Sequence, residues 1–307
     1  MNFCLFDAHC DTAYELWRRG ECLANNSCHI ALDKAVDFSA YAQVFAFCSY
    51  AGQPEELFRK QGELLEAPLR WLRREVSANQ GRIAFARDRA EITRLNSIGK
   101  IAALLSIEGP ELIACDPERL PTLRQQGFVM TTLTWNADNV LAGSHRGKMG
   151  LTDQGREFVR TAQNLDMLID VSHLSEKAFW DLAELTCRPI LASHSNCRAL
   201  CENSRNLTDD QLRAIAQTGG VVGLNLYVPF LGENADFETM RRHLEHMLSL
   251  CGEKHVCLGG DLDGCDELPK GFFSVSDYRD FYNYLRCSGY APQLLEDIFY
   301  NNLLHLL

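Results

Sequence analysis

The stretch Phe3–Asp11, with the sequence FCLFDAHCD, joins a short apolar run to a histidine and two carboxylates. An apolar run of this length is typical of a strand that is buried on both faces of a parallel sheet. Side chains two residues apart in an extended chain point to the same face, so His9 and Asp11 could bind one metal ion together. Such a pair is common by chance, and its meaning therefore depends on the rest of the chain.

Seven further apolar runs follow and alternate with segments of helical character. The eight predicted strands are Phe3–Asp7, Val44–Ser49, Ile101–Ile107, Val129–Leu133, Met167–Val171, Ile190–Ser193, Val221–Leu226 and Val256–Gly260. The predicted helices are Glu55–Ser77, Pro117–Gln126, Thr152–Leu165, Ser175–Leu185, Thr208–Thr218, Asp236–Cys251, Ser276–Cys287 and Pro292–Leu306. The alternation predicts an α/β protein, a single (β/α)₈ TIM-type barrel over residues 1–307. A doubly wound open sheet is the alternative, but no glycine-rich nucleotide-binding motif follows any strand.

Composition excludes several classes of protein. The net charge of −11 argues against a nucleic-acid partner and against docking on an anionic membrane. The 13 cysteines include no C-x-x-C pair, which favours reduced thiols in a cytoplasmic protein. The N-terminus shows no signal peptide, and no apolar run reaches the roughly 18 residues of a membrane span. We therefore expect a cytoplasmic protein without a membrane partner.

Polar side chains follow several of the predicted strands. In a barrel of this type the carboxyl ends of the strands carry the catalytic groups. Glu108 follows the third apolar run, and His173 and His194 follow the fifth and sixth. A buried carboxylate such as Glu108 needs a partner, which is either a basic side chain or a metal ion.

These residues define a candidate metal centre when they are taken together. The candidate ligands are His9, Asp11, Glu108, His173 and His194. Imidazoles and carboxylates suit zinc or a similar first-row metal. Five ligands exceed what one tetrahedral catalytic zinc with a water needs, so the set predicts two Zn²⁺ ions that share a bridging carboxylate.

Eight short motifs carry a resemblance to a known family. They are Asp7–Thr12, Ser106–Gly109, Leu133–Asn136, Gly150–Thr152, Ile169–Ser175, Ser193–Ser195, Ser204–Asp210 and Gly259–Gly264. In their order and spacing the sequence resembles the renal or membrane dipeptidase family of metal-dependent hydrolases, as a compact bacterial-type member. The resemblance implies a zinc-dependent barrel enzyme in which His9 and Asp11 hold one metal, His173 and His194 hold the other, and Glu108 bridges them.

The resemblance also implies the reaction. A hydroxide between the two metals would attack the peptide bond of a dipeptide, including one with a C-terminal D-residue. Arg205 matches the residue that binds the substrate carboxylate, and its planar fork suits that group. Asp263 matches the aspartate that binds the amino group and passes a proton to the leaving amine. A homodimer is implied on the same basis.

One position departs from the family pattern. Trp135 stands where many relatives have a histidine that touches the substrate carbonyl, and indole cannot titrate. Asn136 and the loop residue His145 are candidates to replace it, and the alternative is that metal alone stabilises the oxyanion. The departure keeps two alternatives open: another amidohydrolase-type activity on a cyclic amide, lactone or phosphoester, and a non-catalytic metal-binding protein.

Overall fold

The eight predicted apolar runs form the strands of a closed barrel. A computed structural model describes residues 3–50, 61–186 and 188–307, and within them eight parallel strands close on one another. The strands of the sheet are β1 (Cys4–Cys10), β2 (Ala40–Cys48), β3 (Ile83–Phe85), β4 (Ile101–Glu108), β5 (Phe128–Thr132), β6 (Leu168–Asp170), β7 (Ile190–Ala192), β8 (Val221–Leu224) and β9 (Val256–Leu258). The predicted TIM-type barrel is confirmed, and the open-sheet alternative is excluded.

The short strand β3 was not predicted and does not belong to the ring. The barrel closes because β2 pairs directly with β4, from Ala42 opposite Ala102 to Cys48 opposite Glu108. On its other side β4 pairs first with β3 and then, nearer its carboxyl end, with β5. Thus β3 extends the sheet at the amino end of β4, away from the end that carries Glu108.

Helices pack around the barrel and agree largely with the prediction. They are Thr12–Arg19, Gln61–Ala78, Arg89–Ser97, Leu120–Gln126, Asp153–Asn164, Glu176–Leu185, Asp209–Gln217, Val228–Leu231, Phe237–Cys251, Tyr278–Cys287, Pro292–Glu296 and Asn302–Leu306. The last two are joined by a π-helical turn, Asp297–Asn301. Thr12–Arg19, Arg89–Ser97 and Val228–Leu231 were not predicted, and residues 55–60 of the first predicted helix lie outside the described ranges. Within those ranges no helix is both long and apolar enough to cross a membrane.

The barrel strands pack on both faces, which explains their apolar sequences. Phe6 and Leu104 share a buried cluster with Leu303 of the last helix. Leu105, the neighbour of Leu104, belongs to a second cluster that includes Leu72 of the helix Gln61–Ala78. Because apolar side chains fill these two layers, the polar side chains that end the strands are concentrated at the carboxyl end of the barrel.

A capping box starts the helix Asp209–Gln217, as predicted. The Thr208 hydroxyl accepts from the backbone N–H of Gln211, and the Gln211 side chain accepts from the backbone N–H of Thr208. Thr208→Ala should lower the free energy of unfolding by about 1 kcal/mol because it leaves a helix-terminal donor unpaired. Equilibrium urea unfolding measures this, with Thr93→Ala in an exposed helical turn as the control. Equal midpoints for both variants would show that the cap contributes nothing.

Candidate metal centre

The structure brings all five predicted ligands to one end of the barrel. His9 and Glu108 lie near the carboxyl ends of β1 and β4, Asp11 follows β1 directly, and His173 and His194 lie in the turns after β6 and β7. All five are buried: their exposed fractions run from 1% for His9 and His194 to 9% for Asp11. They therefore lie at the bottom of a pocket and not on the open surface.

Glu108 lies at the centre of the group, and its two oxygens face different imidazoles. Oε2 lies 3.6 Å from Nε2 of His9. Oε1 lies 2.8 Å from Nε2 of His173 and 3.5 Å from Nε2 of His194. One carboxylate thus faces two sets of ligands, the arrangement expected of a bridging group.

Two further carboxylates flank His9. Its Nε2 lies 4.0 Å from Oδ2 of Asp11 and 3.8 Å from Oδ1 of Asp261. On its other side the His9 ring packs against the His194 ring, with centroids 3.9 Å apart. His9, Glu108 and His194 form one group that could hold a metal ion, and His9, Asp11 and Asp261 form a second.

Hydrogen bonds fix which nitrogen of His173 and His194 is free. Nδ1 of His173 lies 3.0 Å from the amide oxygen of Asn136, and Nδ1 of His194 lies 2.6 Å from the hydroxyl of Ser193. That hydroxyl in turn donates to the buried Asp170. With Nδ1 donating in each ring, both Nε2 atoms carry lone pairs and face each other at 3.0 Å. Outer hydrogen bonds commonly orient metal-binding histidines in this way.

Burial shifts the pKa values of these groups toward their neutral forms. Burial first, and then the positive charge of Arg205, lower the pKa of His9 to about 3. Burial likewise lowers the pKa of His173 and of His194. For the carboxyl groups of Glu108 and Asp11, burial and neighbouring carboxylates raise the pKa. Neutral imidazoles are the form that binds metal, and a cation beside the carboxyl groups would lower their pKa again.

The residues present fit a divalent metal ion. Four buried atoms of this group have no hydrogen-bond partner among the described residues: both ring nitrogens of His9, Oδ1 of Asp11 and Oε2 of Glu108. Leaving such atoms unpaired costs free energy, whereas each of them is a normal metal ligand. The backbone of Gly264 also makes room for the carboxylates, since a Cβ there would overlap an oxygen of Asp11 and one of Asp261.

Asp261, and not Asp263 as predicted, lies directly beside the candidate ligand His9. The carboxylate of Asp263 instead accepts hydrogen bonds from Thr12 Oγ1 at 2.5 Å and from the backbone N–H of His29 at 2.6 Å. It thereby ties the segment 20–38 to the end of β1. Burial, partly offset by Arg205, raises the pKa of Asp261 to about 6. The sequence gives two aspartates in the motif DLDG and no signal that separates them.

Arg205 lies beside the ligands, as predicted. It is buried, and its Nη2 lies 3.1 Å from Nε2 of His173. Its guanidinium carbon lies 5.3 Å from the centroid of the Phe230 ring. No carboxylate of the described part of the chain forms a salt bridge with it, so its charge is available to an anionic ligand.

The ligands open into a cavity of about 730 Å³, a size that suits a small molecule. The residues that line it include the acidic Asp11, Asp261 and Asp263 and the basic Arg205 and Arg146. Aromatic residues complete the wall, namely Tyr50, Trp135, Tyr227 and Phe230. The Trp135 ring packs edge-on against Tyr50 at 5.4 Å, and His145 also lines the cavity.

A parallel barrel with imidazoles and carboxylates at the carboxyl ends of its strands is typical of metal-dependent hydrolases. The family model of the membrane dipeptidases, peptidase family M19, matches residues 1–307. The chain therefore belongs to the membrane dipeptidase family, as the resemblance indicated.

Solved structures agree with this assignment. A metallopeptidase from Rhodobacter sphaeroides, crystallised with a phosphinate mimic of the dipeptide L-Ala-D-Ala, is 27% identical with a TM-score of 0.91, and the match covers 100% of this chain and 99% of that one. The metallopeptidase dipeptidase AC is 28% identical with a TM-score of 0.90 over 100% and 98% of the two chains. Family and neighbours together make this chain a hydrolase of the dipeptidase type.

Sequence relatives are less informative about function. An uncharacterized protein of the pqqA 5′ region of Klebsiella pneumoniae is 34% identical over 259 residues, which are 80% of this chain and 95% of that protein. An uncharacterized dipeptidase of Schizosaccharomyces pombe is 34% identical over 214 residues, which are 67% of this chain and 52% of that protein.

Gly264→Ala should weaken metal binding without unfolding the protein. The added methyl group would displace the carboxylates of Asp11 and Asp261, and we expect Zn²⁺ affinity to fall by about 10- to 100-fold, the effect of losing a group that orients a ligand. Competition with a chromogenic chelator measures the affinity. Gly81→Ala is the matched control because its methyl group meets open space. Equal affinities in both variants would show that the Asp11 carboxylate does not bind metal.

Proposed function

We propose that this protein is a two-zinc dipeptidase that hydrolyses the peptide bond of a dipeptide with free amino and carboxyl ends. His9 and Asp11 bind one metal ion, His173 and His194 bind the second, and Glu108 bridges them. The observation that carries the proposal is that the two carboxylate oxygens of Glu108 face different histidines. Oε2 faces His9, and Oε1 faces His173 and His194. The unpartnered buried atoms of His9, Asp11 and Glu108 support it.

Metal ions bound here would lower the pKa of a water molecule and polarise the scissile carbonyl. The chain's own groups do the rest. Arg205 binds the substrate carboxylate through its planar fork and so places the C-terminal residue beside His173. A substrate held by its carboxylate places its peptide bond at the metal centre. Fixing the reacting groups in this way increases the rate of hydrolysis.

Asp261, in place of Asp263, is the acid–base group of the proposal. Its carboxylate lies on the ligand side of the cavity, and its Oδ2 is 3.3 Å from the side-chain nitrogen of Asn225. As a carboxylate beside the proposed ligand His9, it can accept a proton from the attacking water and return that proton to the leaving amine. Asp261 and Asp11 both line the cavity, and their negative charge suits the substrate's amino group.

A panel of L,L and L,D dipeptides tests the function directly. The metal-depleted protein should regain activity with two equivalents of Zn²⁺, and the L-Ala-D-Ala mimic in the Rhodobacter sphaeroides relative makes L,D dipeptides the first to try.

Arg205→Lys should raise KM because a point charge replaces the bidentate fork. Turnover of cyclic amides, lactones or phosphoesters that is unaffected by Arg205→Lys would point to the alternative hydrolase. Two bound metals with no turnover of any compound would indicate a metal-binding protein.

Paired variants of the two aspartates test the acid–base assignment. Asp261→Asn should lower kcat by about 100-fold or more because the amide cannot accept a proton. Asp263→Asn should chiefly lower the unfolding temperature, since the carboxylate that holds Thr12 and His29 loses one acceptor oxygen. Steady-state kinetics and thermal unfolding of both variants separate the roles. The reverse outcome, with activity lost in Asp263→Asn alone, would return the role to Asp263.

A further inference from the structure

The loop 137–151 holds the backbone of His173 in place. His173 has a φ of +72°, a left-handed conformation that is unusual for a residue other than glycine. Its carbonyl oxygen accepts from the backbone N–H of His145 at 2.7 Å and from the hydroxyl of Thr134 at 3.1 Å. These two bonds do not involve the His145 side chain, so substitutions of that side chain leave them intact.

The side chain of His145 reaches the same ligand through Asn136. The amide oxygen of Asn136 lies 3.0 Å from Nδ1 of His173 and 3.0 Å from Nε2 of His145. An amide oxygen only accepts, so each imidazole donates from the nitrogen that faces it. His173 must then carry its proton on Nδ1, which leaves Nε2 bare toward Glu108.

The other side of the His145 ring meets the segment that carries Arg205. Because Nε2 of a neutral His145 holds the proton, Nδ1 accepts, and the Ser204 hydroxyl lies 2.8 Å from it. Ser204 directly precedes Arg205, whose backbone N–H donates to the Asn203 side chain at 3.0 Å. A chain of hydrogen bonds therefore runs from Ser204 through His145 and Asn136 to His173.

We propose that His145 is a positioning residue that fixes the metal-binding tautomer of His173 through Asn136 and ties the Arg205 segment to it through Ser204. The inference rests on the proposed function in one respect, that His173 binds metal and Arg205 binds substrate. His145 itself touches neither the metal nor the substrate carboxylate in this scheme.

Two substitutions of His145 break one link each. A glutamine amide nitrogen reaches about as far as Nε2 of histidine, so His145→Gln keeps the bond to Asn136 and loses the bond to Ser204. Asparagine reaches about as far as Nδ1, so His145→Asn does the opposite. Asn136 is the next link in the chain of hydrogen bonds. Asn136→Asp keeps an oxygen that accepts from both imidazole rings, whereas Asn136→Leu removes that acceptor. His246→Gln, at a histidine that instead contacts Asp209, is the matched control.

Zn²⁺ affinity, read by chelator competition, distinguishes the two links. His145→Asn and Asn136→Leu should bind one Zn²⁺ about 10- to 100-fold more weakly, the usual effect of losing an outer partner of a histidine ligand. His145→Gln, Asn136→Asp and His246→Gln should bind as the unmodified protein does. His145→Gln should raise the KM for a dipeptide with little change in kcat. Unchanged affinity in His145→Asn and Asn136→Leu, or equal loss in His145→Gln, would overturn the proposal.

The tautomer can be read without metal or substrate. In metal-free protein labelled with ¹⁵N-histidine, NMR should find the His173 proton on Nδ1. Asn136→Leu and His145→Asn should each shift it toward a mixture of tautomers, whereas His145→Gln should not. A proton on Nε2 in the unmodified protein would contradict the proposal. This measurement needs no catalysis. If the protein hydrolysed no dipeptide, the proposed function would be wrong, but the NMR result would still show whether the positioning role is correct.

Discussion

Burial of the Glu108 carboxylate at the end of a barrel strand is the constraint on which the site depends. Taking an ionised group out of water costs several kcal/mol unless an opposite charge compensates. No lysine or arginine of the described residues forms a salt bridge with Glu108; its carboxyl group faces the Cys48 thiol and three imidazoles whose pKa values burial lowers. A cation bound among these groups would supply the missing charge, and the proposed ligands His9, His173, His194 and Asp11 all lie near this carboxylate.

The same constraint explains the polar residues behind the ligands. Asp170 is another fully buried carboxylate, but it accepts from the backbone N–H groups of Ser172 and Ser193 at 2.9 and 3.0 Å, as well as from the Ser193 hydroxyl. Its hydrogen bonds are therefore satisfied within the protein, and the Ser193 hydroxyl connects it to Nδ1 of His194. The contrast between a satisfied Asp170 and an unsatisfied Glu108 supports a structural role for the first and the proposed metal-binding role for the second.

Much of this could be predicted from the sequence because both faces of the barrel strands are buried. Continuous apolar runs located the eight strands, and the polar residues that follow them located His9, Glu108, His173 and His194. The strand β3 was missed because it has three residues and a half-buried pattern. Asp261 was missed for a different reason: Asp261 and Asp263 have φ values of +56° and +70°. Strand alternation fails in such a backbone, so sequence spacing could not show which aspartate faces the ligands.

The turn that carries these two aspartates also contacts two other parts of the carboxyl end of the barrel, Asp11 after β1 and His29 of the segment 20–38. Leu262, between them, is fully buried, and its carbonyl oxygen accepts from the backbone N–H of Asp11 at 3.0 Å. Asp261 points to the ligands while Asp263 holds His29 of the segment 20–38. The turn therefore contacts the segment 20–38 through Asp263 and the candidate ligand His9 through Asp261. If Asp261 is the acid–base group that we propose, sequence changes in residues 20–38 that remove the His29 contact should alter turnover through this turn.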